Sequence, residues 1–384
     1  MKLNDITSVI TDYVANGSFK SLRDNAYYVS KDKGFARVIR LTDYNNSFNE
    51  NDTVWVDESG YNFLSKSSLK PKDIIISNVG AYLGTVFYAP NLTIPMTLGP
   101  NAILIRPNEK VLNEYLYYLL SSHYGFSKIM AIKSGSAMPK FNKTDLKAIE
   151  FFIHNKDEQQ HIVDILGSID YSIENNNKKI ENLINFGQLK YQEDILSNDY
   201  EYIALSKLVK ISRGASPRPI QNYLTTIGHS WVKISDVTSL SAPFLFETKE
   251  YITDEGTNHS VAVYPNDLIL SNSATPGIPV FMETNAFVHD GWLIIRDFKR
   301  ITPNYLFWVL KNDRNIILSQ GNGSIFTNLK TDILKSHEIP VPSKEKMEKL
   351  DNLYSTILLK IKHLTKENLK LNELKQLYLK KFFG

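Results

Sequence analysis

Arg213 and Arg218 stand in "SRGASPRPIQNY" (Ser212 to Tyr223), among glycine, serine and proline, where backbone can approach a phosphate closely. In the first half of the chain, "YVSKDKGFARVIR" holds Lys31, Lys33, Arg37 and Arg40. "KSGSAMPKFNK" (Lys133 to Lys143) and "SQGNGSIFTNLK" (Ser319 to Lys330) are Gly/Ser loops ending in lysine, each ahead of a short helix. Gly and Ser amides with Lys and Arg suit phosphate contacts, while Arg, Asn, Gln and Ser can read base edges. That is the chemistry of binding. For catalysis the chain offers no Walker A sequence, no HExxH, no GxSxG and no Asn-Pro-Pro-aromatic. Its eight histidines are scattered, with no pair at ligand spacing near a carboxylate. Pro71-Lys72-Asp73 and Pro265-Asn266-Asp267 lack the downstream Glu-x-Lys of a nuclease, so each Asp reads as a turn residue entering a strand. No catalytic residue, metal site or cofactor is expected.

Elements that occur twice must carry these loops. "PKDIIISN" (Pro71 to Asn78) returns as "PNDLILSN" (Pro265 to Asn272), 194 positions later. "VIRLTDYN" (from Val38) matches "VKISDVTS" (from Val232) at 194, and "NAILIRPNEKVLNEYLYYLL" (from Asn101) matches "GWLIIRDFKRITPNYLFWVL" (from Gly291) at 190. Lys143-Thr144-Asp145 matches Lys330-Thr331-Asp332 at 187, and Gln188-Leu189 matches Gln376-Leu377 at 188. Slowly drifting offsets in constant order describe two homologous halves with small loop insertions. One large duplicated unit implies a pseudo-two-fold molecule and a target with two comparable halves, not a solenoid.

Each half begins with a mixed domain dominated by short strands such as Thr85-Val86-Phe87-Tyr88 and Leu293-Ile294-Ile295. A helix follows, "NEYLYYLLSSHY" or "PNYLFWVLKND", with Pro303 where a first turn tolerates it. The remainder of each half is one long helix. From Asp157 to Leu196, Ile162, Leu166, Ile169, Ile173, Ile180 and Leu183 step by three and four. From Ser343 on, Leu350, Ile357, Leu364, Leu371 and Tyr378 recur every seven, with Leu353, Ile361 and Leu374 between them. That is a coiled-coil seam, about 60 Å long in each helix. Residues 157–196 carry eight acids and three lysines, whereas 343–384 carry ten lysines and five acids. Opposite charge favours pairing these helices with each other, and Asn176 and Asn368 on the seam would fix the register. Antiparallel pairing would make the helices a ruler between two domains. The expected division is 1–156, a first mixed domain; 157–197, a central spacer helix; 198–342, a second mixed domain; and 343–384, a C-terminal spacer helix.

With 384 residues, 42% hydrophobic and 22% charged, the chain has the composition of a soluble globular protein with room for two cores. No apolar run approaches the roughly 18–20 residues of a membrane span, and a cytoplasmic protein is expected. Zero cysteines exclude disulfides and thiolate metal sites. A net charge of +3 is too small to argue nucleic-acid binding, so any basic surface has to be local.

The sequence resembles the specificity (S) subunit of type I restriction-modification systems. The resemblance rests on the G-x-x-P loop "GASPRPIQNY" before "GHSWVKISDV", the "PNDLILSNS" and "PKDIIISNV" strands and "LIIRDFKRITPNYLFWVL". It rests also on the loops "SGSAMPKFNK" and "GNGSIFTNLK", and on "EIPVPSKEKMEKLDNLYSTI" entering the last helix. Glu158-Gln159 opens the central helix as the family commonly does, whereas the C-terminal copy departs with Glu345-Lys346. The resemblance covers essentially the whole chain and implies an α+β fold. Two homologous mixed α/β target-recognition domains are separated by two long antiparallel coiled-coil helices. It further implies double-stranded DNA with a bipartite target as ligand, two methyltransferase (M) subunits as partners, and a restriction/translocase (R) subunit that can join them. The DNA contacts expected are Arg213, Ser216, Arg218, Lys233, Asn272 and Lys330 in the second half, and Lys33, Arg37, Arg40, Asn78, Lys140 and Lys143 in the first. The first half lacks a clear G-x-x-P loop. The rival readings are the specificity chain of a system with a fused methyltransferase-nuclease partner, a stand-alone enzyme, and an assembly scaffold.

Overall fold

The computed structural model describes residues 1–197, 200–238, 240–320 and 328–384. Two units emerge, Met1–Tyr171 with Asn372–Gly384, and Ser172–Leu371. In the first, one sheet orders Thr7–Asp12, Ala102–Pro107, Ile74–Ser77 and Val86–Tyr88; a second orders Val54–Val56, Ala36–Ile39, Met96–Leu98 and Ser68–Leu69. The second unit repeats the plan with Lys210–Arg213, Trp292–Arg296, Leu268–Ser271, Pro279–Met282 and Phe244–Leu245. Its other sheet orders Leu224–Thr225, Glu250–Ile252, His229–Val232, Ala286–Val288 and Val261–Val263.

The repeated apolar run is buried on both faces, which explains why it lacks polar alternation. Ile74 and Ile76 join the core under the helix Asn113–Ser121, while Ile75 faces the core it shares with Leu98 of the second sheet. Leu268 and Leu270 divide from Ile269 in the same way. Ahead of each strand, Lys72 (φ +63°) and Asn266 (φ +75°) turn the chain through the left-handed region. The next residue holds the turn: Asp73 accepts from Lys70 N at 2.6 Å and Asp267 from Tyr264 N at 2.8 Å. Both carboxylates also take a two-pronged arginine, Arg106 at 2.6 Å on each oxygen and Arg296 on both oxygens of Asp267. That arginine was not foreseen.

Hydrogen bonding corrects two of the sequence matches by one residue. Arg40 N donates to Asp43 and Lys233 N to Asp236, each at 2.9 Å, directly after the strands that end at Ile39 and Val232. The offset there is 193, not 194. Likewise Phe141 N donates to Asn78 O and Leu329 N to Asn272 O, an offset of 188, so Lys330 stands opposite Asn142 and not Lys143. Identical polar letters drew the wrong register, whereas the buried Leu146 and Leu334 set the right one. The duplication also reaches the start of the chain. Leu3 N donates to Ile149 O as Leu205 N donates to His337 O.

The long helices are Lys156–Ser197 and Lys344–Phe383. In the first unit Ile162 and Leu166 share a core with Leu379 and Phe383, and Asp170 accepts from Tyr118 Oη (2.8 Å) and Lys375 Nζ (2.5 Å). In the second unit Asn176 Nδ2 donates to Asn368 Oδ1 at 3.1 Å, and Lys346 meets Asp194 at 2.6 Å. Numbers rise along one helix as they fall along the other, so the pairing is antiparallel. The seam asparagines meet each other, and acids of one helix meet lysines of the other. One detail differs from expectation. Tyr354 is fully buried (0% exposed) with Leu353 partly buried against the same core, whereas Leu374 is 40% exposed while the neighbouring Lys375 turns inward to Asp170. Gly187 is needed for helix packing in the second unit, because a Cβ there would lie 2.4 Å from the Trp308 ring. Among the described residues, no helix is long and apolar enough to cross a membrane and no carboxylate–histidine group could hold a metal.

Candidate nucleic-acid interface

In the second unit, strand Lys210–Arg213 pairs antiparallel with Trp292–Arg296, placing Arg213 opposite Leu293. The chain leaves the strand at Gly214, where a Cβ would sit 2.1 Å from His289 O, so only glycine lets the loop pass. Gly214 N and Ala215 N then donate to Trp292 O and Val288 O. This anchoring delivers Ser216 and Arg218 to Asp290. Ser216 Oγ donates to Asp290 Oδ1 (3.0 Å) and Arg218 Nη2 to Oδ2 (3.2 Å). The Asp290 carbonyl accepts from Arg213 Nε (2.7 Å) and Asn272 Nδ2 (3.2 Å). Four of the expected contact residues therefore converge on one acid. Desolvation raises the Asp290 pKa, but the Ser216 hydrogen bond and the Arg213 and Arg218 charges outweigh it and hold the carboxyl below its usual range. Burial lowers the pKa of His289 against the pull of Asp290.

Lys233 completes this face. Its Nζ bonds Glu250 at 2.6 Å, and it shares an open cleft of 770 Å³ with Ser216, Arg218, Gln221, Ser273 and His289. Lys330 is exposed next to Leu329, which is tied to Asn272. Most of the Gly/Ser loop before it, residues 321–327, lies outside the described residues.

The first unit puts Arg40 where the second has Lys233. Its guanidinium bonds Asp43 (2.9 Å) and Asp52 O (2.7 Å) and is partly exposed. Its Asp43 hydrogen bond raises the Arg40 pKa, against desolvation. The Ser/Gly loop closes through Ser134 and Lys140, whose backbones exchange hydrogen bonds, and Gly80 N donates to Pro139 O. The loop after Asn78 and the loop before the short helix thus lie together, and in the second unit Asn328 and Leu329 lie beside Ser273 and Asn272. Lys33 and Lys140 are exposed, and Lys143 Nζ bonds Asp12 at 2.9 Å.

Three expected contacts sit in the framework instead. Arg37 is 1% exposed, its guanidinium spent on Phe48 O, Asn49 O and Glu50, because strand Ala36–Ile39 is covered on both faces. Asn272 is 2% exposed, and both Asn272 and Asn78 use their Nδ2 on backbone carbonyls. Strand register also shows that the first-half basic stretch is not the counterpart of the Arg213 loop. Asp12 pairs with Ile103 as Arg213 pairs with Leu293, so an acid stands where the second unit has an arginine. The residues missed were Asp290 and Asp12. Asp290 follows a histidine and precedes a glycine in "VHDGW", a turn signal that says nothing about its four partners.

These features match known proteins. The family model of the type I restriction modification DNA specificity domain matches twice, at residues 3–185 and 197–376. The type I restriction enzyme MjaIX specificity subunit of Methanocaldococcus jannaschii is 26% identical over 43% of this chain and 42% of its own length. The chain therefore aligns with less than half of that relative. The putative MjaX specificity subunit of the same organism is 23% identical over 82% of this chain and 79% of its own. Among solved structures, the type I restriction-modification S subunit from M. genitalium shares the fold, with a TM-score of 0.56 at 15% identity over 100% of this chain and 95% of that one. With both halves matched in order and nearly end to end, the chain belongs to the type I restriction modification DNA specificity domain family.

Proposed function

We propose that this chain is the DNA sequence-recognition subunit of a type I restriction-modification complex, reading a bipartite duplex target with one unit for each half. The observation that carries the reading is a cation, Arg40 or Lys233, placed by the same Asp-capped turn after the same strand in both units. In both units a Ser-Asn strand end is tied to a segment that carries a lysine, through Phe141 beside Lys140 and Leu329 beside Lys330. Residues 1–156 and 198–342 are the reading modules, and 157–197 with 343–384 form the spacer. Exposed Lys33, Lys140, Arg213 and Lys330 hold phosphates, with Lys143 and Lys233 exchanging their present carboxylate partners for DNA. Arg37, Asn78 and Asn272 position these loops. The chain contributes no chemistry of its own. It works in the cytoplasm with two methyltransferase subunits, and a restriction subunit can join them.

Genome-wide mapping of methylated adenines, with and without this gene, tests the reading. A two-part motif should disappear with the gene. Binding without sequence preference would leave only a scaffold, and methyl transfer or cleavage by the isolated chain would end the non-catalytic assignment.

A further inference from the structure

We infer that Arg218, held by Asp290, reads a guanine in the half-site bound by the second unit; this rests on the DNA-reading function proposed above. The side chain of Arg218 is 79% exposed, yet it is tethered at Nη2 by a carboxylate that is itself fixed through Ser216. The backbone carbonyl of the same aspartate is fixed by Arg213 and Asn272. No hydrogen bond to Nε or Nη1 of Arg218 occurs among the described residues. A guanidinium anchored at one nitrogen has lost much of its rotamer freedom and presents a planar fork in a set direction. Guanine offers O6 and N7 side by side as two acceptors in the major groove, the partner such a fork fits.

The charge of Asp290 decides between base and phosphate. A phosphate approaching Arg218 would also approach the Asp290 carboxylate, 3.2 Å from the same guanidinium, and would be repelled by it. An uncharged base edge meets no such opposition. Arg213 differs, since its Nε partner is a neutral carbonyl and its charge remains open to a phosphate. The device belongs to one unit only. At the 190-residue offset of these strands, Pro100 stands where Asp290 does, and Asp12 takes the place of Arg213.

The test uses the full chain assembled with its methyltransferase partner on its mapped target. Each guanine of the second half-site is replaced singly by 7-deazaguanine, which pairs normally but lacks N7. One position should lower affinity by part of the roughly 5- to 150-fold weight of a whole bidentate arginine–base contact, since O6 remains. Arg218→Ala should bring the full loss of about 5- to 150-fold and abolish sensitivity at that position alone, leaving the first half-site unaffected. Asp290→Asn keeps the size and the acceptor for Ser216; it should blunt the same sensitivity with melting temperature unchanged, which a merely structural role would not do. A second half-site without guanine, or full sensitivity in Asp290→Asn, would overturn the inference. So would a loss in Arg218→Ala that is equal on every duplex and lowers the salt slope. Absence of any sequence preference in the wild-type complex would instead remove the DNA-reading function beneath it.

Discussion

Arg37 comes from a basic stretch and Lys330 ends a Gly/Ser loop, and burial gives them opposite duties. Arg37 is closed in, with Asp43 3.6 Å away and two loop carbonyls on its Nη2. Replacing it with Met leaves those acceptors without their cation, and urea unfolding should show a loss of about 3 kcal/mol. The methylated motif of the surviving protein should stay the same. A changed motif at full stability would restore Arg37 to the DNA surface. Lys330 and Lys33 face solvent. Each Lys→Ala change should weaken binding on all duplexes alike and lower the slope of log K against log salt by about 1. Titrations on specific and random DNA at several salt concentrations read both effects.

At the scale of elements, the helix pair carries a buried asparagine contact inside an otherwise apolar stretch of its seam. Asn176 (5% exposed) and Asn368 (8%) are bonded to each other, and Asn368 also donates to Asn177. Asn176→Leu alone removes a partner from a buried amide and should cost about 1–2 kcal/mol. Replacing both with Leu should recover that loss or exceed it, since a fully apolar seam is the more stable though less specific solution. A double variant less stable than the single would show that the amides stabilise the pair as well as aligning it. Gly187→Ala tests the second-unit packing independently. Its Cβ would press on the Trp308 ring, for a loss of roughly 1–3 kcal/mol.

For the whole molecule, duplication with separate cores predicts modular reading. Exchanging residues 198–342 for the same region of a relative should alter one half of the methylated motif and leave the other intact. A change in both halves contradicts independent units. The spacer proposal is tested by inserting one four-residue turn near Ile162, which adds about 6 Å and rotates the helix beyond the insertion by roughly 40°. At 3.4 Å per base pair the unread spacer should lengthen by one or two bases, with the half-sites unchanged. A folded, methylating variant with the old spacer would mean that the helices do not set the distance.

Sequence alone determined whatever depends on pattern along the chain. The 194-residue repeat of a strand buried on both faces, the three-four steps of the long helices and their opposite charges are local or periodic, and they carried the fold class. Local offsets were weaker, because polar matches such as Lys-Thr-Asp slide freely where no side chain packs, whereas Leu146 and Leu334 cannot. Only the tertiary structure decided which basic residues are available. Arg37 stands between Ala36 and Val38 in a basic stretch, and the residues 48–50 that close over its guanidinium lie far enough along the chain to leave no signal beside it. Asp290 reaches Ser216 and Arg218 from more than seventy residues away, because the loop and the turn meet at the ends of paired strands. Charge pairing across that distance is a property of register, and register exists only once the sheet has formed.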